Sequence, residues 1–316
     1  MTGIVSPGEV AYGMQLPIQT LSATTRSQWE LNATVDDLVT VARQAEATGH
    51  RFIGVCDHVA IPDNDYAAHM TTTWYDTVAT LGFLAAHTSS VRLLSVVWIA
   101  PYRHPLQTAK SFATLDHLSG GRAILGVGAG HVEAEFAALG VDYHVRGRLL
   151  DEAIDAVRAS FGLRYASFAG TTWAFRDVGI GPQPPQGQLP VWVGGSGPAA
   201  WRRVGRRGDG YIPMGNPLEQ LPDITATIRR AAEEAGRGDH HFDVGFHPGV
   251  IYVGKLPDLA DGRPSVAGSP EQVCESLRQA TAAGANVLHV RFFNRSLSEL
   301  LDQMEIFGRD VAPGLV

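Results

Sequence analysis

The chain has 316 residues, 45% hydrophobic and 18% charged, a globular balance able to build a large core in one α/β barrel or two smaller domains. A net charge of -7, with no basic cluster beyond Arg202-Arg203 and Arg206-Arg207, excludes a nucleic-acid partner. No apolar run reaches the roughly 20 residues that span a bilayer, so no membrane partner is expected. Cys56 and Cys274 supply neither a disulfide framework nor metal-ligand spacing. The opening MTGIVSPGEVAYGMQLP lacks the basic-then-apolar pattern of a secretion signal, which makes a cytoplasmic location the expectation.

Strand and helix patterns alternate along the chain. A strand at 10–16 precedes a helix at 36–48. A strand at 52–56 precedes a helix at 74–87, and a strand at 91–99 a helix at 106–117. The third helix carries Leu106, Ala109, Phe112, Ala113 and Leu115 at spacings near three and four, and Ser119-Gly120-Gly121 stops it. The strand at 123–127 leads to helices at 133–139 and 148–161, and that at 191–194 to a helix at 198–206. Strands at 210–213 and 242–253 are followed by helices at 218–234 and 270–283, and a strand at 286–292 closes the series. Eight strands alternating with helices imply parallel pairing through right-handed crossovers. The count favours a closed (β/α)8 TIM barrel forming a single domain over an open doubly wound sheet. Three long links, 59–73, 165–189 and 255–268, are candidate lids or dimer contacts, and the second reads as a hairpin excursion ending in a proline-rich segment.

In a barrel the ligand site is built from the loops after the strands. Asp57-His58, Pro101-Tyr102-Arg103-His104-Pro105, Gly128-Ala129-Gly130-His131, Gly194-Gly195-Ser196-Gly197, Pro213-Met214-Gly215 and Arg291 all fall there. Gly194, Gly195, Ser196 and Gly197 run into a helix, whose unpaired N–H groups suit a phosphate; the same glycines equally serve as a strand-to-helix turn. His58 is the leading catalytic residue, since imidazole exchanges protons near neutral pH, with Asp57 either orienting it or capping the next loop. His131 and Glu135 have metal-ligand spacing, but a helix N-terminus rich in acids is preferred, and no metal is expected. Arg103 and Arg291 are open between binding an anionic group and surface pairing. With no nucleophile motif, metal set or phosphoryl-transfer loop, the chemistry is assigned to a bound organic cofactor.

Five separated motifs then carry a resemblance: the Asp57-His58 pair, PYRHP, LDHLSGGRAILGVGAG, the segment 182–200 (PQPPQGQLPVWVGGSGPAA, from Pro182 onward) and RRGDGYIPMG. Together they resemble the luciferase-like monooxygenase superfamily, and within it the oxidoreductases dependent on the deazaflavin coenzyme F420. The resemblance implies a TIM barrel with insertions, usually a homodimer, that moves a hydride between coenzyme F420 and a small organic substrate. The alternatives are a reduced-FMN monooxygenase and a flavin-binding barrel without turnover. It further implies that Asp57 and His58 lie by the ring, His58 at the reactive face. A non-proline cis peptide at the Val97-Trp98 step would back the ring. Gly128, Ala129 and Gly130 would line the ring and polyol, and Gly194, Gly195, Ser196 and Gly197 would take the phosphate, with Met214 close by. Departures stand at Pro62, where the sugar-phosphate dehydrogenases of the group carry Trp, and at His131, where they carry Glu. His131 therefore either takes a proton-transfer role or serves a substrate that needs none there.

Overall fold

The computed structural model describes residues 3–64, 70–257 and 264–315. Eight parallel strands close on themselves in chain order: β1 (Ala11–Gln15), β2 (Phe52–Val55), β3 (Arg92–Ser95), β4 (Ala123–Gly128), β5 (Val191–Gly194), β6 (Gly210–Ile212), β7 (Asp243–Phe246) and β8 (Val287–His289). The ring shuts where Ala11 of β1 registers with Val287 of β8, while Gly13 registers with Phe52 of β2 on the other side. The barrel strands are apolar almost throughout because both faces are covered, one by the lumen and one by helices. Phe52, Leu94, Ile124, Trp192 and Val287 fill the lumen and are fully buried. At the N-terminal end of the strands, Asp243 accepts hydrogen bonds from the Ile4 and Val5 amides, at 2.7 and 3.1 Å, and from Trp192 Nε1 at 3.0 Å. The chain's first described residues thereby close that mouth.

Nine helices among the described residues wrap or flank the barrel: α1 (Val35–Ala47), α2 (Thr77–Ala85), α3 (Pro105–Leu118), α4 (Glu133–Ala138), α5 (Arg146–Ala159), α6 (Pro198–Arg207), α7 (Leu221–Glu234), α8 (Pro270–Ala282) and α9 (Leu297–Ile306). Their starts are written locally. Thr34 and Asp37 cap α1 reciprocally, and Ser269 and Gln272 do the same for α8. None of the described helices is long and apolar enough to cross a membrane.

Two strands expected as continuous are broken. The 91–99 run ends at Ser95, passes a cis Val96-Val97 peptide and resumes as Trp98–Ile99, which pairs with the end of β4. The 242–253 run ends at Phe246 because Gly249 N donates to His247 Nδ1 (2.9 Å) in a tight turn. Val250–Val253 then leaves the barrel and pairs with Val266–Gly268 and Arg291–Phe292. The link 165–189 holds the hairpin Ala166–Ala169 with Ala174–Val178. Within the links 59–73 and 255–268, residues 65–69 and 258–263 lie outside the described residues.

Among the elements without an expectation from the sequence are the 3-10 turn Gln28–Asn32 and α9. Trp29 Nε1 donates to Asn294 Oδ1 (2.6 Å) and Ser27 Oγ to Asn294 O (3.0 Å), which ties the β1–α1 segment to the β8–α9 loop.

Candidate functional site

At the C-terminal ends of the strands lies a cavity of about 610 Å³ whose lining includes Asp57, His58, Val96, Val97, His131 and Met214. One wall is the bulge at the end of β3. Val97 sits directly over Gly128 of β4 and Gly194 of β5: a Cβ on Gly194 would stand 2.7 Å from Val97 Cγ1, and one on Gly128 would collide with Val97 Cγ2. Val96 covers Gly54 of β2 in the same way. These three strands lack side chains where the bulge descends, so Val96 and Val97 pack closely against them and form part of the cavity lining.

Beside it stand two carboxylates with different partners. Asp57 is buried and grips Arg103 in a two-point pair, Nη1 to Oδ2 at 2.6 Å and Nη2 to Oδ1 at 2.8 Å, while also accepting Ile99 N at 2.8 Å. The Arg103 guanidinium in turn lies 3.5 Å over the Trp98 ring. Asp57 therefore anchors the far side of the bulge. His58 is oriented by Glu135 instead. Its Nδ1 lies 2.8 Å from Glu135 Oε2, and Oε1 accepts Val59 N at 2.6 Å and Ala60 N at 3.1 Å. Tyr102 Oη donates to the same carboxylate at 2.9 Å. Burial pushes the Glu135 carboxyl up, but the hydrogen bonds from His58, Ala60 and Val59 outweigh it and hold the group below its ordinary range. Burial and the neighbouring Glu135 charge push the Tyr102 phenol up, so it stays a donor. A carboxylate can only accept, so Nδ1 of His58 carries a proton and Nε2 is left for the cavity.

His58 also packs against Trp74, ring centroids 4.4 Å apart, and against His131 at 6.1 Å. Burial, and then His58, push the His131 imidazole below its ordinary pKa, favouring its neutral form. Among the described residues no group of three or more His, Cys, Asp or Glu is placed to hold a metal ion.

The profile of the family described as Luciferase-like monooxygenase matches residues 11–262. The chain belongs to this family. Over 205 residues it is 32% identical to the F420-dependent hydroxymycolic acid dehydrogenase of Mycobacterium tuberculosis, covering 64% of this chain and 55% of that one. It is 31% identical to the F420-dependent glucose-6-phosphate dehydrogenase of Amycolatopsis mediterranei, covering 63% and 60%. Among solved structures, an F420-dependent secondary alcohol dehydrogenase with an F420-acetone adduct superposes at a TM-score of 0.76 with 17% identity, covering 98% of this chain and 99% of that one. The FMN complex of the oxygenating constituent of 3,6-diketocamphane monooxygenase from Pseudomonas putida gives 0.77 with 15% identity and the same coverage. The chain is thus a luciferase-like oxidoreductase on a closed eight-stranded TIM barrel.

Within this luciferase-like barrel, Asp57, His58, Val97, His131 and Met214 line the cavity. Four placements differ. The cis peptide is Val96-Val97, one residue before the expected step, because Val97 is the side chain that Gly128 and Gly194 admit. Trp98 does not reach the cavity: it is buried behind it, donating Nε1 to Thr108 Oγ1 at 3.0 Å and packing on Phe112. Glu135 is no solvated helix acid but the buried partner of His58, and Asp57 is not. Arg103 is committed to Asp57.

The two glycine loops lie outside the cavity lining. Gly128 and Gly194 serve the bulge, Ala129 and Gly130 are half-buried beside it, and Gly130 lies so close to Phe136 and Ile99 that a Cβ would strike both. Gly195, Ser196 and Gly197 form an open rim with Ser196 exposed, and no side chain caps α6 there. Asn216 Nδ2 donates to Ser196 O at 2.9 Å, fixing this rim beside Met214-Gly215 of the cavity. The sequence reading did not single out Arg26, Glu30, His247 and His289, which also line the cavity. The Ser27-x-x-Glu30 capping box marked Glu30, and His247 stands at a strand end, so both had a local signal.

Proposed function

We propose that this chain is an F420-dependent oxidoreductase that moves a hydride between the deazaflavin and a small organic substrate. The observation that carries this reading is His58, locked through Nδ1 by Glu135 with Nε2 toward an apolar cavity floored by the Val96-Val97 bulge. The fit to a flat tricyclic ring rests on that floor, which the absence of side chains at Gly54, Gly128 and Gly194 makes possible. Val96, Val97 and Met214 would hold the ring, and the uncapped α6 N-terminus with Gly195, Ser196 and Gly197 would meet the tail phosphate. When bound, the deazaflavin supplies the hydride chemistry.

The protein's own contribution is proton management. In the oxidising direction His58 Nε2 accepts the proton of the substrate hydroxyl as the C–H hydride leaves, and in the reducing direction it returns that proton to the carbonyl oxygen. Glu135 stabilises the imidazolium so formed, which a neutral partner would not do. Burial, and then His58, push the His131 imidazole below its ordinary pKa, so the positive charge taken up in the reaction is favoured on His58 rather than on His131. The F420-dependent relatives at 31 and 32% identity support the deazaflavin over FMN.

Equilibrium titration with reduced and oxidised F420 and with FMN, followed by absorbance and fluorescence, tests this directly. Submicromolar F420 binding with weak FMN binding is expected, the affinity being an order-of-magnitude figure (~1 μM, about 8 kcal/mol). Tight FMN binding with indifference to F420, followed by oxygen uptake, would replace the proposal with a flavin monooxygenase. In His58→Ala, turnover should fall by roughly 10²–10⁴ with cofactor affinity retained; turnover left unchanged would remove His58 from the chemistry.

A further inference from the structure

The cavity has a second polar pole, built from the β1–α1 segment and the ends of β7 and β8, that His58 and the bulge do not use. Arg26, Glu30, His247, His289 and Arg291 line it. We propose that this pole is a subsite for the carboxylate of a small, otherwise apolar organic acid, which would make such an acid the substrate class. What happens to that substrate rests on the oxidoreductase reading; the subsite itself does not.

Arg26 Nε and His289 Nε2 are buried with no hydrogen-bond partner among the described residues. These atoms lie beneath the wall rather than on its surface, and with Thr20 Oγ1, orphaned too, they leave three polar groups at this pole that the described residues do not complete. His247 accepts Gly249 N through Nδ1, so its neutral ring carries the proton on Nε2 and is a donor there. Burial and the adjacent Arg291 charge push the His247 pKa down, which keeps that ring neutral. His289 is held as neutral imidazole by complete burial, and Gly245 beside its Nε2 leaves the ring room. Arg291 is half-buried and spends one nitrogen on Thr25 O.

The charge balance chooses among anions. Two arginines and one carboxylate line the pole, and that carboxylate, Glu30, is occupied by Ile18 N at 2.9 Å and Ser27 N at 2.6 Å. The pole therefore carries one positive charge in excess, matched by a monoanion. A phosphate monoester brings about two negative charges at neutral pH and has no lysine here to meet the second. A planar carboxylate suits guanidinium donors. The surrounding lining of Leu16, Ile212, Val250, Phe292 and Leu300 suits a hydrocarbon body rather than a sugar.

Isothermal titration of the full chain with hexanoate, hexanamide and hexyl phosphate tests the subsite without any cofactor. Hexanoate should bind at least about tenfold tighter than hexanamide and no weaker than hexyl phosphate, the range of a charge-assisted hydrogen bond. Arg291→Met should abolish the preference for acid over amide, and Arg26→Met, on the opposite element, should do so independently should the first variant not fold. Equal binding of acid and amide, tighter binding of hexyl phosphate, no binding of hexanoate, or a preference that survives in the folded variants overturns the subsite. F420 titration of the same preparations separates the two readings. Hexanoate preference without F420 binding sinks the proposed function and leaves the subsite standing, and the reverse pattern sinks the subsite alone.

Discussion

Glu135 is the residue on which the site's proton chemistry turns. A buried carboxylate is costly unless its lone pairs are filled, and here four donors fill them: His58 Nδ1, Tyr102 Oη and the amides of Val59 and Ala60. The arrangement fixes both the ring plane of His58 and the loop that carries it. Glu135→Gln keeps the shape but turns one acceptor oxygen into an NH2 group and removes the charge that stabilises an imidazolium. We expect kcat/KM to fall by about ten- to a hundredfold, the worth of a hydrogen bond to a charged group, and the acid limb of the pH–rate profile to move to lower pH. Steady-state kinetics from pH 5 to 9 would show it; an unmoved profile would reduce Glu135 to a loop anchor. Nothing local announces this role. Glu133-Ala134-Glu135 has the composition of a solvated helix start, and the partner is 77 residues away, so only the folded chain brings them together. His58 stood out in the sequence because it follows a barrel strand directly, at the end where the ligand site of such a barrel is built.

At the scale of elements, strand ends were legible because the alternation of apolar runs and capped helices leaves little freedom in where a barrel strand stops. The bulge after β3 was legible in kind but not in register. Which peptide turns inward depends on which side chain the glycines of β2, β4 and β5 admit, a three-strand condition that no single window contains. The same contact makes a prediction. In Gly194→Ala the new methyl would stand 2.7 Å from Val97 Cγ1, between backbone elements that cannot retreat far. Overpacking of this kind costs about 1–3 kcal/mol. Val97→Ala in the same chain should recover most of that loss, giving a coupling of roughly 1 kcal/mol or more in a double-mutant cycle by urea unfolding. Additive losses would mean that Gly194 and Val97 do not share the space assigned to them. The β1–α1 turn and α9, which roof the second pole, escaped the sequence reading because each is short or flanked by polar residues. Their contacts, Trp29 and Ser27 with Asn294, are long-range.

For the whole molecule, barrel closure followed from counting eight β/α units, whereas the balance of buried charge did not, since it depends on which polar residues the closed barrel encloses. Burial pushes His50 and His289 down to about 3. Burial pushes Asp243, at the opposite mouth, up to about 6, against the hydrogen bonds from Ile4, Val5 and Trp192. The signs oppose. A histidine kept neutral in the fold takes up its proton more readily when unfolded, so its stabilising contribution is present above about pH 6.5 and is lost on acidification toward 3. Asp243 behaves in reverse: its contribution is present below about pH 4 and is lost as the pH rises through 6. Between pH 6 and 4.5 the unfolded chain therefore gains the two histidine protons while the folded chain gains one at Asp243. His131 and His247, also displaced downward, add to the first side. Stability should fall across this window. His50 offers the cleanest probe, being buried against Tyr12 and Phe292 and itself outside the cavity lining. His50→Phe preserves an aromatic ring there and removes one titrating group. Its slope of unfolding free energy against pH, from urea midpoints at constant ionic strength, should be shallower than that of the parent chain by about 1.4 kcal/mol per pH unit at most, one proton's worth. Parallel curves would mean that His50 is protonated in the folded barrel after all.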